Sequence, residues 1–327
     1  YNYFPDKYIR SVVIAGAAYK FYETDEEGIV TATQYHYDYM DNLFYMKRDY
    51  TCKVPTEYQD ADRGYLLSLL GYVISTPGDT TSLPTTTAGL SALSSLRQVG
   101  AVMHSTPVLL TQSGTVTTTS GVTSSSNRND YILFGTTQGV LSVVDADTGE
   151  EKFAFLPNEL ITTQKRAFQT NTATTGFSSS TYQTLYYGVD APWTAYSEYV
   201  AKTDGSLTVG SSDISSATGS GMQMAYGGLR MGGRSYYALN LKDMSNPKIA
   251  FRIDPNNTAV YCNSSSQTDT PETCSSSKTY KELGYMGQSW SKPSVGWVKW
   301  KGSKRLVMFV GGGYDAGGTN GDGTFSS

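Results

Sequence analysis

The fold is decided by a stretch that reads HSTPVLL at residues 104–110, YILFG at 131–135 and VLSVVD at 140–145. An X-Pro step opens the first predicted strand, a glycine ends the second, and the third ends on Asp. Related patterns recur downstream at residues 187–192 (YGVDAP), 224–228 (MAYGG), 236–240 (YYALN), 291–295 (SKPSV) and 306–312 (LVMFVGG). A motif that returns tens of residues apart, with loops of unequal length, is typical of radially repeated antiparallel sheet. We therefore predict an all-β, β-propeller-like fold.

The first copy continues into a pattern known from quinoprotein-type propeller blades. Residues 143–153 (VVDADTGEEKF) fit the series small-x-Asp-x-x-Thr-Gly-x-x-x-aromatic. Asp145 and Thr148 can bind the hairpin backbone, Gly149 can adopt a positive φ, and Phe153 can fill the space between blades. An ordinary Asp-Thr-Gly hairpin is the alternative, but the two related copies favour blades.

Ten positions are expected to carry the repeat: Pro107, Gly135, Asp145, Thr148, Gly149, Asp190, Gly227, Ala238, Pro293 and Gly311. The same pattern predicts strands near residues 105–111, 131–136, 140–146, 151–156, 222–228, 234–241, 247–253, 293–300 and 305–311. Polar stretches at 112–129, 163–181, 202–220 and 262–278 are predicted as long loop insertions, because their Ser and Thr runs cannot bury apolar area.

Two regions follow from the composition along the chain. Residues 1–95 form a Tyr-rich N-terminal segment with a linker, which could also belong to the propeller, and residues 96–327 form the blades. A short helix is predicted near residues 60–74 from an apolar stripe that Asp60 or Asp62 could cap. Since a propeller needs about four to eight blades, we expect an incomplete, C-terminally truncated propeller within these 327 residues.

The net charge and the hydropathy of the chain argue against nucleic-acid binding and against a membrane span. The formal net charge of −4 argues against a nucleic-acid partner held by phosphate neutralisation. No stretch approaches the roughly 18 apolar residues of a membrane span. We therefore predict neither nucleic-acid binding nor a membrane span.

The three cysteines bear on the cellular compartment in which the protein is found. Cys262 and Cys274 bracket a polar loop without metal-ligand spacing, so we expect a disulfide there, with two free thiols as the alternative. Such a bridge persists in an oxidising compartment, which favours a location outside the cytoplasm. The sequence assigns no partner to Cys52.

The chain offers little for catalysis. His36 and His104 are the only histidines, and no Gly-x-Ser-x-Gly nucleophile elbow is present. His104 is expected to be a hydrogen-bonded structural residue, and Asp145 and Asp190 to be hairpin and turn caps. A quinone-dependent enzyme is disfavoured because there is no adjacent cysteine pair and only four tryptophans. We therefore predict no enzyme activity, no catalytic residues and no cofactor.

The succession of motifs resembles the C-terminal propeller of type IV pilus tip-associated proteins, the PilC/PilY-type adhesins. The resemblance runs in the family's order from about residue 96 to 315, whereas residues 1–95 match only loosely. It rests on residues 102–108 (VMHSTPV), 133–141 (LFGTTQGVL), 144–151 (VDADTGEE), 155–157 (FLP), 187–190 (YGVD), 226–239 (YGGLRMGGRSYYAL), 283–285 (LGY), 291–293 (SKP) and 311–314 (GGGY).

This resemblance implies an extracellular protein, exported through the periplasm to the pilus tip or cell surface. It implies minor pilins as partners, support of pilus assembly, limited retraction, and adhesion to a host or abiotic surface. The family's calcium loop is expected beyond residue 327, with Asp315, Asn320 and Asp322 as weak candidates in a stretch that lacks the closing glutamate. The alternative is a generic extracellular propeller that binds carbohydrate or protein.

Overall fold

The computed structural model describes residues 61–79, 81–84, 87–94, 99–169, 186–215, 219–261 and 277–314, and the backbone of four short strands nearer the N-terminus. Strands dominate this part of the chain, and three short α-helices accompany them, α1 (Arg63–Leu69), α2 (Thr87–Ser91) and α3 (Asn158–Gln164). The strands are β1 (Val12–Ile14), β2 (Ala17–Tyr19), β3 (Gln34–Asp38), β4 (Leu43–Lys47), β5 (Val108–Thr119), β6 (Val122–Gly135), β7 (Leu141–Asp145), β8 (Glu151–Leu156), β9 (Thr194–Glu198), β10 (Val200–Ala201), β11 (Ser206–Thr208), β12 (Met222–Gly227), β13 (Tyr236–Asn240), β14 (Lys248–Asp254), β15 (Ala259–Tyr261), β16 (Ser277–Thr279), β17 (Ser294–Trp300) and β18 (Ser303–Phe309).

Two of the sheets contain the same unit, a four-stranded antiparallel meander. The first copy is β5-β6-β7-β8, and the second is β9-β12-β13-β14. The third copy is the two-stranded hairpin β17-β18. In each copy the first strand begins one or two residues after a proline, because proline fixes the local backbone and gives no ladder donor. We call these copies repeats one, two and three.

Further strands extend these units at their edges. The parallel pairing of β1 with β8 and the antiparallel pairing of β2 with β1 add N-terminal residues to the sheet of repeat one. At the other edge β11 pairs with β5, and β10 pairs with β11. Repeat two continues through β15 and β16. The prediction of mostly antiparallel β-structure is confirmed, and a closed ring of blades is not seen among the described residues.

The core lies between repeats one and two. Phe155 of β8 packs edge-on against Trp193, with ring centroids 6.5 Å apart, and against Tyr237 of β13 at 5.2 Å. Leu133 and Val143 are fully buried in the same cluster. Each side chain of this size contributes about 1.5–3 kcal/mol when it is fully buried. This shared core holds the first two repeats together.

The strand predictions for all three repeats are confirmed, whereas the loop and helix predictions need correction. Residues 112–129, predicted as a loop, lie almost entirely in β5 and β6, because their Ser and Thr side chains pair across a long hairpin. Five short strands within or beside the predicted loops were missed: β9, β10, β11, β15 and β16. Helix α1 covers only part of residues 60–74, and Asp62 makes no side-chain cap; its carboxylate binds Lys165 Nζ at 2.5 Å.

Helix α3, whose last two residues overlap the loop predicted at 163–181, connects repeat one to repeat two. The Glu159 carboxylate accepts hydrogen bonds from the backbone amides of Arg234 and Ser235, each at 3.0 Å. Gln164 donates to the Gly232 carbonyl at 2.6 Å and accepts from the Gly188 amide at 2.9 Å. The helix therefore positions the segment before β13 and the segment before β9 together. Among the helices that the structure describes, none has the length and apolarity to cross a membrane.

Candidate functional site: the pre-proline segments and the hairpin ends

The residue two positions before the proline serves as a local brace in repeats one and three. In repeat one the Ser105 hydroxyl accepts a hydrogen bond from the Gly135 amide at 2.8 Å. In repeat three the Ser291 hydroxyl accepts from the Gly311 amide at 2.9 Å. Each bond ties the start of the first strand to the end of the second strand in the same repeat.

Repeat two carries Asp190 at this position, and its carboxylate binds side chains outside its own turn. The Asp190 side chain is fully buried. Its oxygens accept from His104 Nδ1 at 2.9 and 3.0 Å and from an Arg230 guanidinium nitrogen at 2.9 Å. The expectation that Asp190 caps its own turn is therefore wrong, because both of its side-chain partners come from other segments. His104 is a hydrogen-bonded residue in front of a strand, as the sequence predicts.

Arg230 extends this cluster to repeat three. Its guanidinium carbon lies 4.1 Å from the ring centroid of Trp290, and Trp290 donates to the Gln288 side chain at 3.0 Å. Arg230 also has a φ of +52°, which costs a residue with a side chain roughly 1 kcal/mol or more. The ion pair and the cation–π contact offset that strain. We call His104, Asp190, Arg230 and Trp290 the Asp190 cluster.

The contacts of the Asp190 cluster connect the repeats to one another. A buried carboxylate is stable only when charged and hydrogen-bonded partners compensate for its lost solvation. His104, whose side chain is 44% exposed, uses Nδ1 for Asp190. Among the described residues, both side-chain hydrogen bonds of His104 go to the Asp190 carboxylate. The geometry therefore connects the starts of three repeats.

The remaining predicted positions lie where the strands turn or approach one another. Asp145 accepts from the amides of Asp147 and Thr148 and from the Thr148 hydroxyl, which is a hairpin cap, and Gly149 has a φ of +74°. A Cβ at Gly135 would lie 2.1 Å from the Val189 carbonyl oxygen, and one at Gly227 would lie 2.1 Å from the Trp193 ring. Ala238 is fully buried in β13, while Pro107 and Pro293 precede β5 and β17.

Several predicted residues fall outside the described part of the chain. These are Cys52, Cys262, Cys274, Asp315, Asn320 and Asp322, so the disulfide and the calcium candidates stay predictions. Among the residues that are described, no group of three or more His, Cys, Asp or Glu side chains could hold a metal ion. The roles of Arg230, Trp290 and Glu159 were missed. A signal existed only for Arg230 and Trp290: the Asp in YGVDAP where the other copies have Ser.

In repeats one and three, the hairpin between the first two strands carries different side chains at its end. In repeat one the end is uncharged from Gln112 to Asn127, and hydroxyl pairs such as Thr118 and Thr123, 3.1 Å apart, bridge its strands. In repeat three the end carries Lys299, Lys301, Lys304 and Arg305 around the exposed Trp300. Variable loops on a rigid scaffold are where proteins usually place their binding specificity.

Comparisons with known proteins give one solved structure. No protein-family profile and no curated protein matches the chain. The chain is similar to the crystal structure of the Pseudomonas aeruginosa PilY1 C-terminal domain, with a TM-score of 0.29 and 19% identity. The match covers 56% of this chain and 24% of that chain. A TM-score at this level does not establish a shared fold.

Proposed function

We propose that this chain is an extracellular binding protein of the type IV pilus tip, with no catalytic activity. It docks on minor pilins, supports pilus assembly, limits retraction and mediates adhesion to a surface. The observation that carries the proposal is the ordered series of motifs over residues 96–315, which resembles the PilC/PilY-type adhesins. Its fold would be a β-propeller, which the two four-stranded meanders and the third hairpin support.

The arrangement of the described residues suits a protein that works by binding. Protein interfaces need a rigid frame, and the shared core and the Asp190 cluster join the repeats into one. They also need an accessible surface, and the outer edge of β6 beyond the pairing with β7 (residues 122–129) has no strand partner among the described residues. A partner strand could add to such an edge.

The test is retention of purified minor pilins by the immobilised full chain. We expect retention by the wild type and reduced retention by Thr123→Pro/Ser125→Pro, because in the register of the hairpin the amides of Thr123 and Ser125 face the open edge and proline removes them. The matched control Thr123→Ala/Ser125→Ala keeps those amides and should retain pilins. A deletion of residues 1–75 tests whether the Tyr-rich segment contributes.

Other outcomes would change the proposal in defined ways. Pilins retained equally by the proline variant and by the deletion would remove both proposed surfaces. No retention by the wild type would leave the alternative, a generic extracellular module that binds carbohydrate or protein. Turnover of an alcohol or aldehyde after addition of a quinone cofactor would contradict the assignment as a non-enzyme.

A further inference from the structure

The three repeats are stacked, and the sheet of repeat two uses a different face for each neighbour. The antiparallel register places Tyr237 and Tyr196 on opposite faces of that sheet. Tyr237 packs against Phe155 of repeat one, with ring centroids 5.2 Å apart. Tyr196 accepts a hydrogen bond from the indole NH of Trp297 in repeat three at 2.6 Å. Repeat two therefore lies between the other two, and each outer repeat has one sheet face directed away from it.

The face of repeat one that is directed away from repeat two is apolar. Leu133 and Phe155 lie on the inner face, which packs on repeat two. On the opposite face a row of aliphatic side chains crosses three strands, because Leu109 is paired with Ile132 and Ile132 with Val144. Leu109 is 53% exposed, whereas Leu133 is fully buried. We call Leu109, Ile132 and Val144 the repeat-one end face.

Repeat three also has an open apolar face. Trp297 lies on the face of the β17-β18 hairpin that packs on repeat two. Phe309 lies on the opposite face, and its side chain is 57% exposed. A Cβ added at Gly296, in the middle of that face, would meet no atom within 4 Å. We call this set the repeat-three end face: Gly296, Val298, Trp300, Val307 and Phe309.

The contacts within the chain show which kind of surface covers such a face. Each later repeat covers one face of the repeat before it: repeat two covers the face of Leu133, and repeat three covers the face of Tyr196. The repeat-three end face is in the position that a further repeat would cover. Among the described residues, the repeat-one end face is the open surface of the covering kind. Contiguous exposed apolar patches usually mark interaction sites.

We propose that the repeat-three end face packs on the repeat-one end face of a second copy of this chain, and that two copies close one ring of blades. The two end faces lie at opposite ends of one stack, and three repeats are too few to close on themselves, since propellers have about four to eight blades. Two copies of the described repeats supply six blades, whereas three copies supply nine and exceed that range.

Two-fold symmetry makes this contact more favourable than the size of either face suggests. In a closed dimer the same pair of faces meets twice, once at each junction between the copies. A stable dimer buries about 1,600 Å² in total, so each junction needs to bury about half of that. The apolar side chains of both end faces would lose their exposure to water together, which favours a closed pair over an open chain of copies.

Light scattering of the full chain after size-exclusion chromatography measures this association. We expect the wild type at about 10 μM to have twice the chain mass, as a specific dimer of this size would. Phe309→Asp and Leu109→Asp each place a carboxylate in a contact that forms twice, so each should raise the dimer Kd at least about 100-fold. The control Val122→Asp changes an exposed residue outside both end faces and should dimerise like the wild type. Thermal unfolding followed by circular dichroism checks that all variants are folded.

Mixing the two variants tests the direction of the contact. A mixed pair of Phe309→Asp and Leu109→Asp keeps one junction between two unaltered faces, so it should associate more tightly than either variant does with itself. If Leu109→Asp dimerises like the wild type while Phe309→Asp does not, the repeat-three end faces pair with each other and the inference is overturned. A mass that keeps rising with concentration would overturn the closed ring in the same way.

The inference rests on the propeller-like fold of the proposed function but not on pilin binding, because association is measured without pilins. A wild type that is monomeric up to about 100 μM, which is too weak for a specific dimer, would overturn the inference even if it retains minor pilins. A dimer that retains no pilin would contradict the pilus assignment alone. The two failures can therefore be told apart.

Discussion

Repeats one and two have the same meander, yet the residue two positions before the proline acts differently in each. In repeat one Ser105 accepts the Gly135 amide and completes a bond within its own repeat. In repeat two Asp190 turns to His104 and Arg230. The Leu229 amide, just beyond the second strand of repeat two, binds Ser289 Oγ at 2.7 Å instead.

The difference shows how a repeated scaffold gains an inter-repeat connection without a new element. One hydroxyl is replaced by a carboxylate, and a local brace becomes a buried ion pair with His104 and Arg230. The Arg230 guanidinium in turn contacts Trp290 in the pre-proline segment of repeat three. A serine can be satisfied by one amide, whereas a buried carboxylate needs several donors, which here are His104 of repeat one and Arg230 from the segment between β12 and β13. The cluster therefore depends on correct packing of the repeats.

The largest effect is expected from Asp190→Ser, which gives repeat two the residue of the other repeats. It removes the partner of His104 and Arg230, and we expect the free energy of unfolding to fall by about 3 kcal/mol. Chemical denaturation measures this difference. A change below about 0.5 kcal/mol would mean that the ion pair contributes nothing net to stability.

The second-largest effect is expected at the packed contact between Gly135 and Val189, which we compare with the open β17-β18 hairpin. Gly135→Ala would bring a Cβ within 2.1 Å of the Val189 carbonyl oxygen, so we expect a loss of about 2–3 kcal/mol from overpacking. Gly296→Ala in β17 meets no atom within 4 Å and serves as the matched control. It should be neutral or slightly stabilising. Equal melting temperatures for the two variants would contradict the packed junction.

A smaller loss is expected from Ser105→Ala. This change leaves the buried Gly135 amide without its acceptor, which costs about 1.5 kcal/mol. Thermal unfolding compared with Ser105→Thr, which keeps a hydroxyl, provides the measurement. If both variants unfold at the wild-type temperature, the local brace is not a stabilising contact.

The smallest effect concerns the hairpin cap and depends on pH. Hydrogen bonds, first of all from the Thr148 amide, lower the pKa of Asp145 below its ordinary value of 3.8. Because the folded pKa is lowered, the stabilisation is present above about pH 4 and is lost as pH falls through the folded value. Asp145→Asn should be slightly less stable than wild type at pH 7, by under about 1 kcal/mol. The gap should close in stronger acid, and a gap that widens there would contradict this cause.

Sequence patterns predicted the strands of all three repeats because alternating apolar residues and prolines act locally. They failed for residues 112–129, where cross-strand hydroxyl pairs and the register of a long hairpin replace apolar burial. They also failed for Arg230 and Trp290, whose contacts join segments 40 to 60 residues apart. Such contacts depend on how sheets pack, and no local pattern encodes this. Asp190 was singled out from the sequence, but its partners were not.

The most direct test of the Asp190 cluster is hydrogen exchange of the wild type and Asp190→Ser, followed segment by segment. If Asp190 fastens the repeats together, the variant should lose amide protection together at residues 104–107 of repeat one and 228–234 of repeat two. Loss of protection confined to residues 189–192, with both other segments exchanging as in the wild type, would contradict the account.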